Sequence, residues 1–239
     1  MTTQHHGPDP EFIKGLFGSI SGGYDRANDL MTFGVARFWR KQLVKWSEAQ
    51  QGDRVLDCAT GTGDLALAFA EKVGPTGQVV GSDFCPEMLA VAPEKARKLG
   101  VTWASFEVAD ALDLPYEDNS FNVTSIAFGI RNVQDPVKAL REMARVTQPG
   151  GRVMILETGD NRMPVVGPMI QFYFKVGVPF LGGLVTGKKS AYEYLNNSSN
   201  KFPGQKKFLD LMRASQAFSQ VECRSLLGGA SYLYKGVVA

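Results

Sequence analysis

The chain has 239 residues, of which 44% are hydrophobic and 21% charged, so it can bury a large core and fits one α/β domain better than two small ones. Its 26 basic and 24 acidic residues leave a formal charge of +2, which argues against stable binding to nucleic-acid phosphates. Both histidines, His5 and His6, stand at the start of the chain, which nearly excludes Ser-His or Cys-His hydrolase chemistry.

Cysteine spacing and the apolar segments indicate the cellular compartment of the protein. Cys58, Cys85 and Cys223 are widely spaced and lack C-x-x-C pairing, which predicts a reducing compartment and no structural metal site. The start, MTTQHHGPDPEF, lacks a basic segment followed by an apolar one, so we expect a frayed tail on a cytoplasmic protein. The most apolar stretch, Met163 to Gly187, is broken by prolines, glycines and Lys175, whereas a spanning helix needs about 20 uninterrupted apolar residues. No transmembrane segment is predicted.

The first two thirds of the chain predict a helical start followed by alternating strands and helices. Residues from about Pro10 to Ala49 are expected to be helical. Between Arg54 and Glu157, β-rich apolar runs alternate with helix-period segments, which predicts βαβ units on a parallel sheet. One helix is expected at about residues 86–98, with Pro93 kinking or shortening it. A turn at Pro149–Gly151 is expected to lead into a strand.

The last part of the chain changes character at about Met163. From there to Pro203 the sequence is rich in aromatic residues, glycine and proline, which predicts an irregular cover over the site. A helix at about 205–217 and two closing strands are expected to follow. We therefore expect one folded domain, with a tail and helical substrate cover at residues 1–49. The core spans residues 50–239, with a cover insertion at about 160–203.

A glycine-rich turn follows the first predicted strand, in the segment VLDCATGTGD at residues 55–64. Gly61 and Gly63 let a ligand approach the backbone, because a Cβ would block a cofactor lying across the strand end, and the next helix offers free N–H groups. The spacing Gly61-x-Gly63-x-x-Ala66, followed by Asp83, also fits the dinucleotide fingerprint. The turn alone leaves an NAD(P)-dependent oxidoreductase open, although the chain offers no Tyr-x-x-x-Lys pair for hydride chemistry.

Three aspartates that end consecutive predicted strands favour a different cofactor. Asp57 stands four residues before Gly61, where it suits the cationic methionine end of S-adenosylmethionine and would repel a pyrophosphate. Asp83 ends the next strand, and Asp110-Ala111 follows the third and offers a polar group to an adenine edge. A single strand-end Asp is more often a helix N-cap. Three of them in register with the GTG turn predict an S-adenosylmethionine site, in the layout of class I methyltransferases.

Four stretches of the chain, between about Phe17 and Gly236, resemble the ubiquinone/menaquinone biosynthesis C-methyltransferase family. They are FGSISGGYDRAN (residues 17–28), VLDCATGTGDL (55–65), LPYEDNSFNVTSIAFGIRNV (114–133) and YLNNSSNKFP (194–203). The last two are specific to this family rather than to methyltransferases in general. The resemblance implies a Rossmann-like, mostly parallel seven-stranded sheet with helices on both faces and an N-terminal helical cover.

The resemblance also implies site residues and a substrate. The implied cofactor contacts are Thr62, Asp83, Asp110 and Ala111, and the implied substrate-end residues are Tyr24, Arg131 and Asn132. Ala127 departs from the family pattern, in which a serine often precedes F-G-[LI]-R-N, so that serine's hydrogen bond to the cofactor is missing. The implied methyl acceptor is a polyprenylated quinol ring, either demethylmenaquinol or 2-polyprenyl-6-methoxy-1,4-benzoquinol, and the sequence does not separate these branches.

Methylation of a quinol ring carbon needs alignment with the sulfonium methyl and a way to favour the phenolate. Arg131 is suited to stabilise the oxyanion, and water, a carboxylate or Tyr24 would take the proton. The alternatives are that Arg131-Asn132 forms a capped turn and that Tyr24 only packs the cover. A cofactor-binding module without turnover would lose the FGIRNV motif, and a small-molecule O- or N-methyltransferase would not need the apolar cover.

A lipid substrate suggests two further features. The segment RFWRK at residues 37–41, with Lys45-Trp46, mixes basic residues and indoles and suggests contact with anionic lipid of the inner leaflet, although a solvated helix face is the simpler alternative. The side chains that suggest a tunnel for the isoprenoid tail, or alternatively a plain core patch, are Phe172, Tyr173, Phe174, Phe180 and Leu181. Homo-oligomer formation stays open.

Overall fold

A seven-stranded sheet forms the centre of the protein. The structure, a computed structural model, describes residues 7–159 and 173–239. The strands are β1 (Arg54–Cys58), β2 (Gln78–Asp83), β3 (Ala104–Val108), β4 (Phe121–Ala127), β5 (Thr147–Thr158), β6 (Phe218–Leu226) and β7 (Ser231–Val238). Their order is β3-β2-β1-β4-β5-β7-β6, parallel from β3 to β5, with β7 antiparallel to both β5 and β6. The predicted mostly parallel seven-stranded sheet is confirmed.

The strand order reverses between β1 and β4. Val55 of β1 pairs with Val79 of β2 on one side and with Val123 of β4 on the other. In open α/β sheets, a reversal of this kind leaves a crevice at the carboxyl ends of the two strands, where ligands bind. We therefore expect a ligand site at the turns that follow β1 and β4.

Helices alternate with the strands and precede and follow the sheet in the chain. They are α1 (Pro10–Gly18), α2 (Tyr24–Thr32), α3 (Val35–Trp46), α4 (Asp64–Val73), α5 (Pro86–Leu89), α6 (Ala92–Lys98), α7 (Pro136–Val146), α8 (Val178–Thr186), α9 (Lys189–Lys201) and α10 (Gln205–Ala214). The order β1-α4-β2 and β4-α7-β5 is the predicted βαβ pattern.

Apolar clusters lie on both faces of the sheet. Leu56 of β1 packs in a cluster with α7 and α10, whereas its neighbour Val55 packs in one with α3 and α4. Alternate residues of a strand point to opposite faces, so these clusters lie on the two sides of the sheet. A third cluster joins α2 with α8 and α9 through Ala27, Val178 and Tyr192. Thus α3 packs with the core, whereas α2 packs with the later helices.

The helix predicted at residues 86–98 is two helices. α5 ends at Leu89 and α6 begins at Ala92, with Pro93 in its first turn. Proline is tolerated there because a first-turn N–H has no intrahelical partner, whereas inside a continuous helix its ring clashes with the preceding turn. The turn predicted at Pro149–Gly151 lies within β5, where its pairing with β4 shifts register.

The segment predicted to be an irregular cover is helical at residues 173–186 and 189–201, so that prediction was wrong there. A π-helical turn at Tyr173–Gly177 leads into α8, and α9 follows. Of the prolines and glycines that suggested irregular structure, Pro179 and Gly187 lie at helix ends, whereas Gly182 and Gly183 lie inside α8. Pro179 is in the first turn of α8, and Gly187 caps its last turn with a φ of 72°, positions that favour these residues. Residues 160–172 lie outside the described part of the chain.

The lipid contact predicted for the indoles of α3 is wrong. Trp39 and Trp46 are each 5% exposed and pack in the core cluster on one face of the sheet. Arg40 is also buried, at 8% exposure. The solvent side of this amphipathic helix instead carries Arg37 and Phe38.

Candidate active site

A cavity occupies the crevice at the carboxyl ends of β1 and β4. It is lined by the turns after β1, β2, β3 and β4, by α1 and the start of α2, and by Arg40 of α3. The predicted site residues that line it are Tyr24, Asp57, Gly61, Thr62, Asp83, Asp110, Ala111 and Asn132. Gly63 and Arg131 are not among the described residues that line it.

The turn from β1 into α4 has the backbone conformation that its glycines allow. Gly61 has a φ of 57°, and its N–H donates to Asp83 Oδ2 at 2.8 Å. Gly63 has a φ of 84° and precedes the first residue of α4. A Cβ on Gly63 would lie 2.7 Å from the Cβ of Ala92. The absence of a side chain at Gly63 therefore makes room for α6, and contact of either glycine with the cofactor stays a prediction.

Asp57 lies near the end of β1 with 1% exposure. Its two oxygens accept hydrogen bonds from Thr60 Oγ1 and Ser125 Oγ, both at 2.7 Å. Burial raises the pKa of Asp57 to about 6, although these hydrogen bonds act in the opposite direction. Asp57 therefore ties the glycine turn to β4 and adds negative charge to the cavity. Ala127, which stands at the position of the expected serine, also lines the cavity.

Asp83 and Asp110 bring the ends of two more strands to the same cavity. Asp83 is 6% exposed, its Oδ1 accepts from Cys85 N at 2.8 Å, and burial raises its pKa. Asp110 is exposed, and its Oδ1 accepts from Leu112 N at 2.9 Å. The three strand-end aspartates thus share one cavity. Their individual contacts with a cofactor stay predictions.

A network of charged side chains fastens α2 to the glycine turn. Thr62 Oγ1 donates to Asp25 Oδ1 at 2.5 Å, and Lys95 Nζ lies 3.0 Å from Asp25 Oδ2. Lys95 also pairs with Asp64, and Arg40 Nη1 lies 3.0 Å from Asp64 Oδ2. Burial alone would raise the pKa of Asp64, but the charges of Arg40 and Lys95 outweigh it and lower that pKa. This network was not predicted from the sequence, in which the position of Asp25 directly after Tyr24 was the available signal.

Tyr24 lines the cavity from the start of α2. Its ring packs edge to face against that of Phe17, with centroids 6.3 Å apart. Burial raises the pKa of the Tyr24 hydroxyl, and the positive charges of Arg40 and Arg131 only partly offset this. Tyr24 is therefore a neutral phenol at physiological pH, suited to donate a hydrogen bond rather than to take a proton.

The two family-specific stretches meet beside the cavity. Arg131 and Asn132 lie in a 3₁₀ turn after β4. Arg131 Nε donates to Ser198 Oγ at 3.4 Å, and Asn132 Oδ1 accepts from Tyr194 OH at 3.3 Å. Tyr194 and Ser198 both lie in α9, within YLNNSSNKFP. Helix α9 therefore supports the Arg131-Asn132 turn.

Glu157 of β5 is the ion-pair partner of Arg131, and it was not predicted from the sequence. The Glu157 side chain is 0% exposed and that of Arg131 is 7% exposed. Glu157 Oε1 pairs with Arg131 and accepts from Thr158 N at 2.7 Å, whereas its Oε2 has no hydrogen-bond partner among the described residues. A buried charge pair of this kind fixes the guanidinium in place. Glu157 therefore holds the Arg131 guanidinium at the rim of the cavity, and the Arg131 side chain does not line the cavity itself.

Of the side chains predicted to line a tail tunnel, Tyr173 and Leu181 pack against one cluster and Phe180 faces solvent. Phe180 is 65% exposed on α8, so it does not line an enclosed tunnel. Tyr173 OH donates to Met31 O at 2.9 Å, and Leu181 packs against the cluster that joins α2 with α8 and α9. Phe172 and the side chain of Phe174 lie outside the described residues.

The glycine turn at the strand-order reversal and the three strand-end aspartates define a class I S-adenosylmethionine-dependent methyltransferase. An Aquifex aeolicus SAM-dependent methyltransferase structure matches with a TM-score of 0.61 and 18% identity, over 84% of this chain and 89% of that one. Haemonchus contortus phosphoethanolamine N-methyltransferase 2, solved with S-adenosylmethionine, matches with a TM-score of 0.58 and 16% identity, over 83% and 52%. Likenesses at these identities show the fold.

The chain belongs to the ubiE/COQ5 methyltransferase family, whose model matches residues 5–238. The ubiquinone/menaquinone biosynthesis C-methyltransferase UbiE of Bdellovibrio bacteriovorus is 54% identical over 234 residues, 98% of this chain and 99% of the relative. The demethylmenaquinone methyltransferase of Staphylococcus aureus is 40% identical over 226 residues, 95% and 92% of the two chains. The predicted family is confirmed, and so is the enzyme class, an S-adenosylmethionine-dependent C-methyltransferase of the type these relatives represent.

Proposed function

We propose that this chain transfers the methyl group of S-adenosylmethionine to a ring carbon of a polyprenylated quinol, with demethylmenaquinol as the preferred acceptor. The observation that carries the proposal is the junction of the Arg131-Asn132 turn with α9. Both sides of that junction come from the family-specific stretches, and the curated relatives are named for quinone methylation. The methoxybenzoquinol of the ubiquinone branch is the alternative acceptor, because one relative's name covers both branches.

The acceptor end of the cavity offers groups that would orient a quinol ring. When bound, S-adenosylmethionine supplies an electrophilic sulfonium methyl group. Tyr24 and Asn132 line the cavity and offer a hydroxyl and an amide to the quinol oxygens. Ile13 and Phe17 of α1 add an apolar wall, which suits the ring and limits water at the reacting carbon.

The quinol must also lose a proton as the new carbon–carbon bond forms. Tyr24 is unsuited to take it, because its raised pKa keeps it protonated, so the proton leaves to water or a carboxylate. Arg131 influences Tyr24 electrostatically from the rim of the cavity. A fixed cation there would lower the free energy of the developing quinol oxyanion.

A competition between acceptors tests the proposal. The purified protein receives methyl-labelled S-adenosylmethionine with equal amounts of short-tailed demethylmenaquinol, methoxybenzoquinol and a simple catechol, all kept reduced, and mass spectrometry identifies the labelled products. We expect label mainly on a ring carbon of demethylmenaquinol. Label mainly on methoxybenzoquinol would favour the alternative branch. Label on the catechol alone, or on no acceptor despite cofactor binding, would contradict quinol methylation.

A second part of the proposal concerns how the enzyme reaches a lipid acceptor. Val176, Phe180 and Leu184, spaced one helical turn apart, are 50%, 65% and 73% exposed and form an apolar stripe along α8 and the turn before it. Lys188 and Lys189 follow the helix and are exposed. We propose that this stripe contacts an anionic membrane surface, because an apolar helix face next to basic residues is typical of interfacial helices. Among the described residues, no helix is long and apolar enough to cross a bilayer.

Vesicle sedimentation tests the membrane contact. The variant Phe180→Ser/Leu184→Ser should bind phosphatidylglycerol vesicles less than the wild type does and keep its activity on a short-tailed acceptor in solution. The matched control is Leu99→Ser, because Leu99 is 66% exposed but lies after α6, outside the stripe. Equal vesicle binding by the stripe variant and the wild type would contradict this part of the proposal.

A further inference from the structure

Arg40 is the one cationic side chain among the described residues that line the cavity. The acidic side chains there are Asp57, Asp64, Asp83 and Asp110. A ligand carboxylate placed among these groups would be repelled unless a cation or an N–H group met it. Arg40 is therefore suited to bind an anionic part of a ligand in this cavity.

Arg40 is built into the wall of the cavity. It lies on the buried side of α3, and its side chain is 10% exposed. Its Nη1 lies 3.0 Å from Oδ2 of Asp64, the first residue of α4. A guanidinium carries five N–H donors in a planar fork, so this ion pair leaves donors for a second acceptor.

The neighbours of Arg40 show which end of the cavity it serves. Its charge opposes the burial-driven rise in the pKa of both Tyr24 and Asp57, so it lies within electrostatic reach of each. Its partner Asp64 directly follows Gly63 of the glycine turn. Arg40 therefore lies at the end of the cavity formed by Asp57 and the glycine turn, on the side of the cover.

S-adenosylmethionine carries a carboxylate and an ammonium group at its methionine end, next to the sulfonium. Asp57 provides negative charge for the cationic groups, but the predicted cofactor contacts include no cation for the carboxylate. We propose that Arg40 binds this carboxylate and shares its guanidinium between the ligand and Asp64. The planar fork of arginine matches both oxygens of a carboxylate. Lys95 does not compete for this role, because it pairs with Asp25 and Asp64 and does not line the cavity.

The acceptor of the methyl group does not enter this inference. A failure of quinol methylation would leave the contact between Arg40 and the cofactor intact, and a failure of the contact would leave the acceptor unchanged. Equilibrium binding of the cofactor is therefore the appropriate readout, because it requires no turnover.

Substitution of Arg40 combined with truncation of the ligand tests the contact by calorimetry. Wild type and Arg40→Gln are titrated with S-adenosylmethionine and with decarboxylated S-adenosylmethionine, which keeps the adenosine, the sulfonium and the amine. We expect Arg40→Gln to weaken S-adenosylmethionine binding about 10- to 100-fold, as for a charge-assisted hydrogen-bonded pair. The decarboxylated ligand should bind both proteins with the same affinity. Arg37→Gln is the control, because Arg37 lies on the same helix with a side chain that is 67% exposed.

Loss of Arg40 also removes one of the cations that neutralise Asp64, so a second variant is needed. Arg40→Gln/Asp64→Asn removes both charges and should again lose affinity for S-adenosylmethionine but not for the decarboxylated ligand. If Arg40→Gln alone does not fold, this double variant tests whether Arg40 binds the carboxylate. Equal losses of affinity for the two ligands would overturn the proposal and leave Arg40 as a structural partner of Asp64.

Discussion

The cofactor end and the acceptor end of the cavity are built in different ways. The cofactor end uses the short turn between β1 and α4 and the residues that end the next two strands, so the local chain sets each position. The acceptor end combines Tyr24, the Arg131-Asn132 turn and the supporting residues Tyr194 and Ser198, which are far apart in sequence. We therefore expect substitutions at the first end to change cofactor affinity and those at the second to change turnover.

Among these variants, Arg131→Ala should show the largest difference between its effect on turnover and its effect on cofactor affinity. We expect turnover to fall about 10²- to 10³-fold, because a group that stabilises developing charge contributes mainly to the rate. The dissociation constant of S-adenosylmethionine, measured by calorimetry, should stay close to that of the wild type.

Arg131→Ala also leaves Glu157 buried and unpaired, which should lower the free energy of unfolding by about 3–5 kcal/mol. Arg131→Lys keeps a charge beside Glu157 but loses the planar fork, so it separates the loss of rate from the loss of stability. Arg213→Ala is the surface control, because Arg213 pairs with Asp210 and both are 58% exposed. Wild-type turnover in a folded Arg131→Ala protein would contradict the proposed role.

Asp83→Asn, at the cofactor end, should lower cofactor affinity and leave turnover nearly unchanged. Asp83 accepts hydrogen bonds from Gly61 N and Cys85 N, and an amide keeps only one of its two acceptor atoms. We expect cofactor affinity to fall about 10- to 100-fold, with near-normal turnover at saturating cofactor. Asp113→Asn, at an exposed residue outside the cavity lining, is the control. A loss confined to turnover would show that the two ends are not separate.

At the cofactor end, the buried carboxyl group of Asp57 should also make the stability of the protein depend on pH. Its pKa is raised by burial to about 6 from a usual 3.8, so the folded state binds this proton more tightly than the unfolded state does. The resulting stabilisation is fully present below about pH 4 and is lost as pH rises through about 6, by up to about 3 kcal/mol. Denaturant unfolding across this range should show the fall, and Asp57→Asn should reduce it. A variant that keeps the full wild-type slope would contradict this account of Asp57.

Tyr194→Phe should have the smallest effect, at the acceptor end. It removes a single neutral hydrogen bond of 3.3 Å to Asn132, so we expect turnover to fall about 2- to 10-fold with unchanged cofactor affinity. Tyr116→Phe removes a hydroxyl bonded to Glu107 away from the cavity and should leave turnover unchanged. A change in cofactor affinity in Tyr194→Phe would contradict the assignment of α9 to the acceptor end of the cavity.

The same difference explains how much of the site the sequence predicted. Asp57, Asp83 and Asp110 were found because the end of each strand is set by the local apolar pattern, and parallel strands bring their carboxyl ends together. The packing reason for Gly63 was not predicted, because the atom that limits its space, the Cβ of Ala92, belongs to a helix later in the chain. Local patterns therefore predicted positions at the cofactor end but not all of the reasons for them.

The acceptor end depends on contacts that no local pattern encodes. The resemblance implied Arg131 but not Glu157, because a single glutamate near the end of an apolar strand has no distinguishing pattern and the pair is separated by 26 positions. The helices α8 and α9 were missed because richness in aromatic residues, glycine and proline was interpreted as irregular structure, whereas Pro179 and Gly187 stand at the ends of α8. Burial of Trp39 and Trp46 likewise depends on which face of α3 meets the sheet.

The central claim, transfer of a methyl group to a quinol ring carbon, is tested most directly by one spectrum. The protein is incubated with ¹³C-methyl S-adenosylmethionine and reduced short-tailed demethylmenaquinol, and the product is examined by carbon NMR after extraction. We expect the labelled methyl to be bonded to a ring carbon. A labelled methyl bonded to oxygen, or the absence of labelled quinol from an enzyme that binds the cofactor, would contradict it.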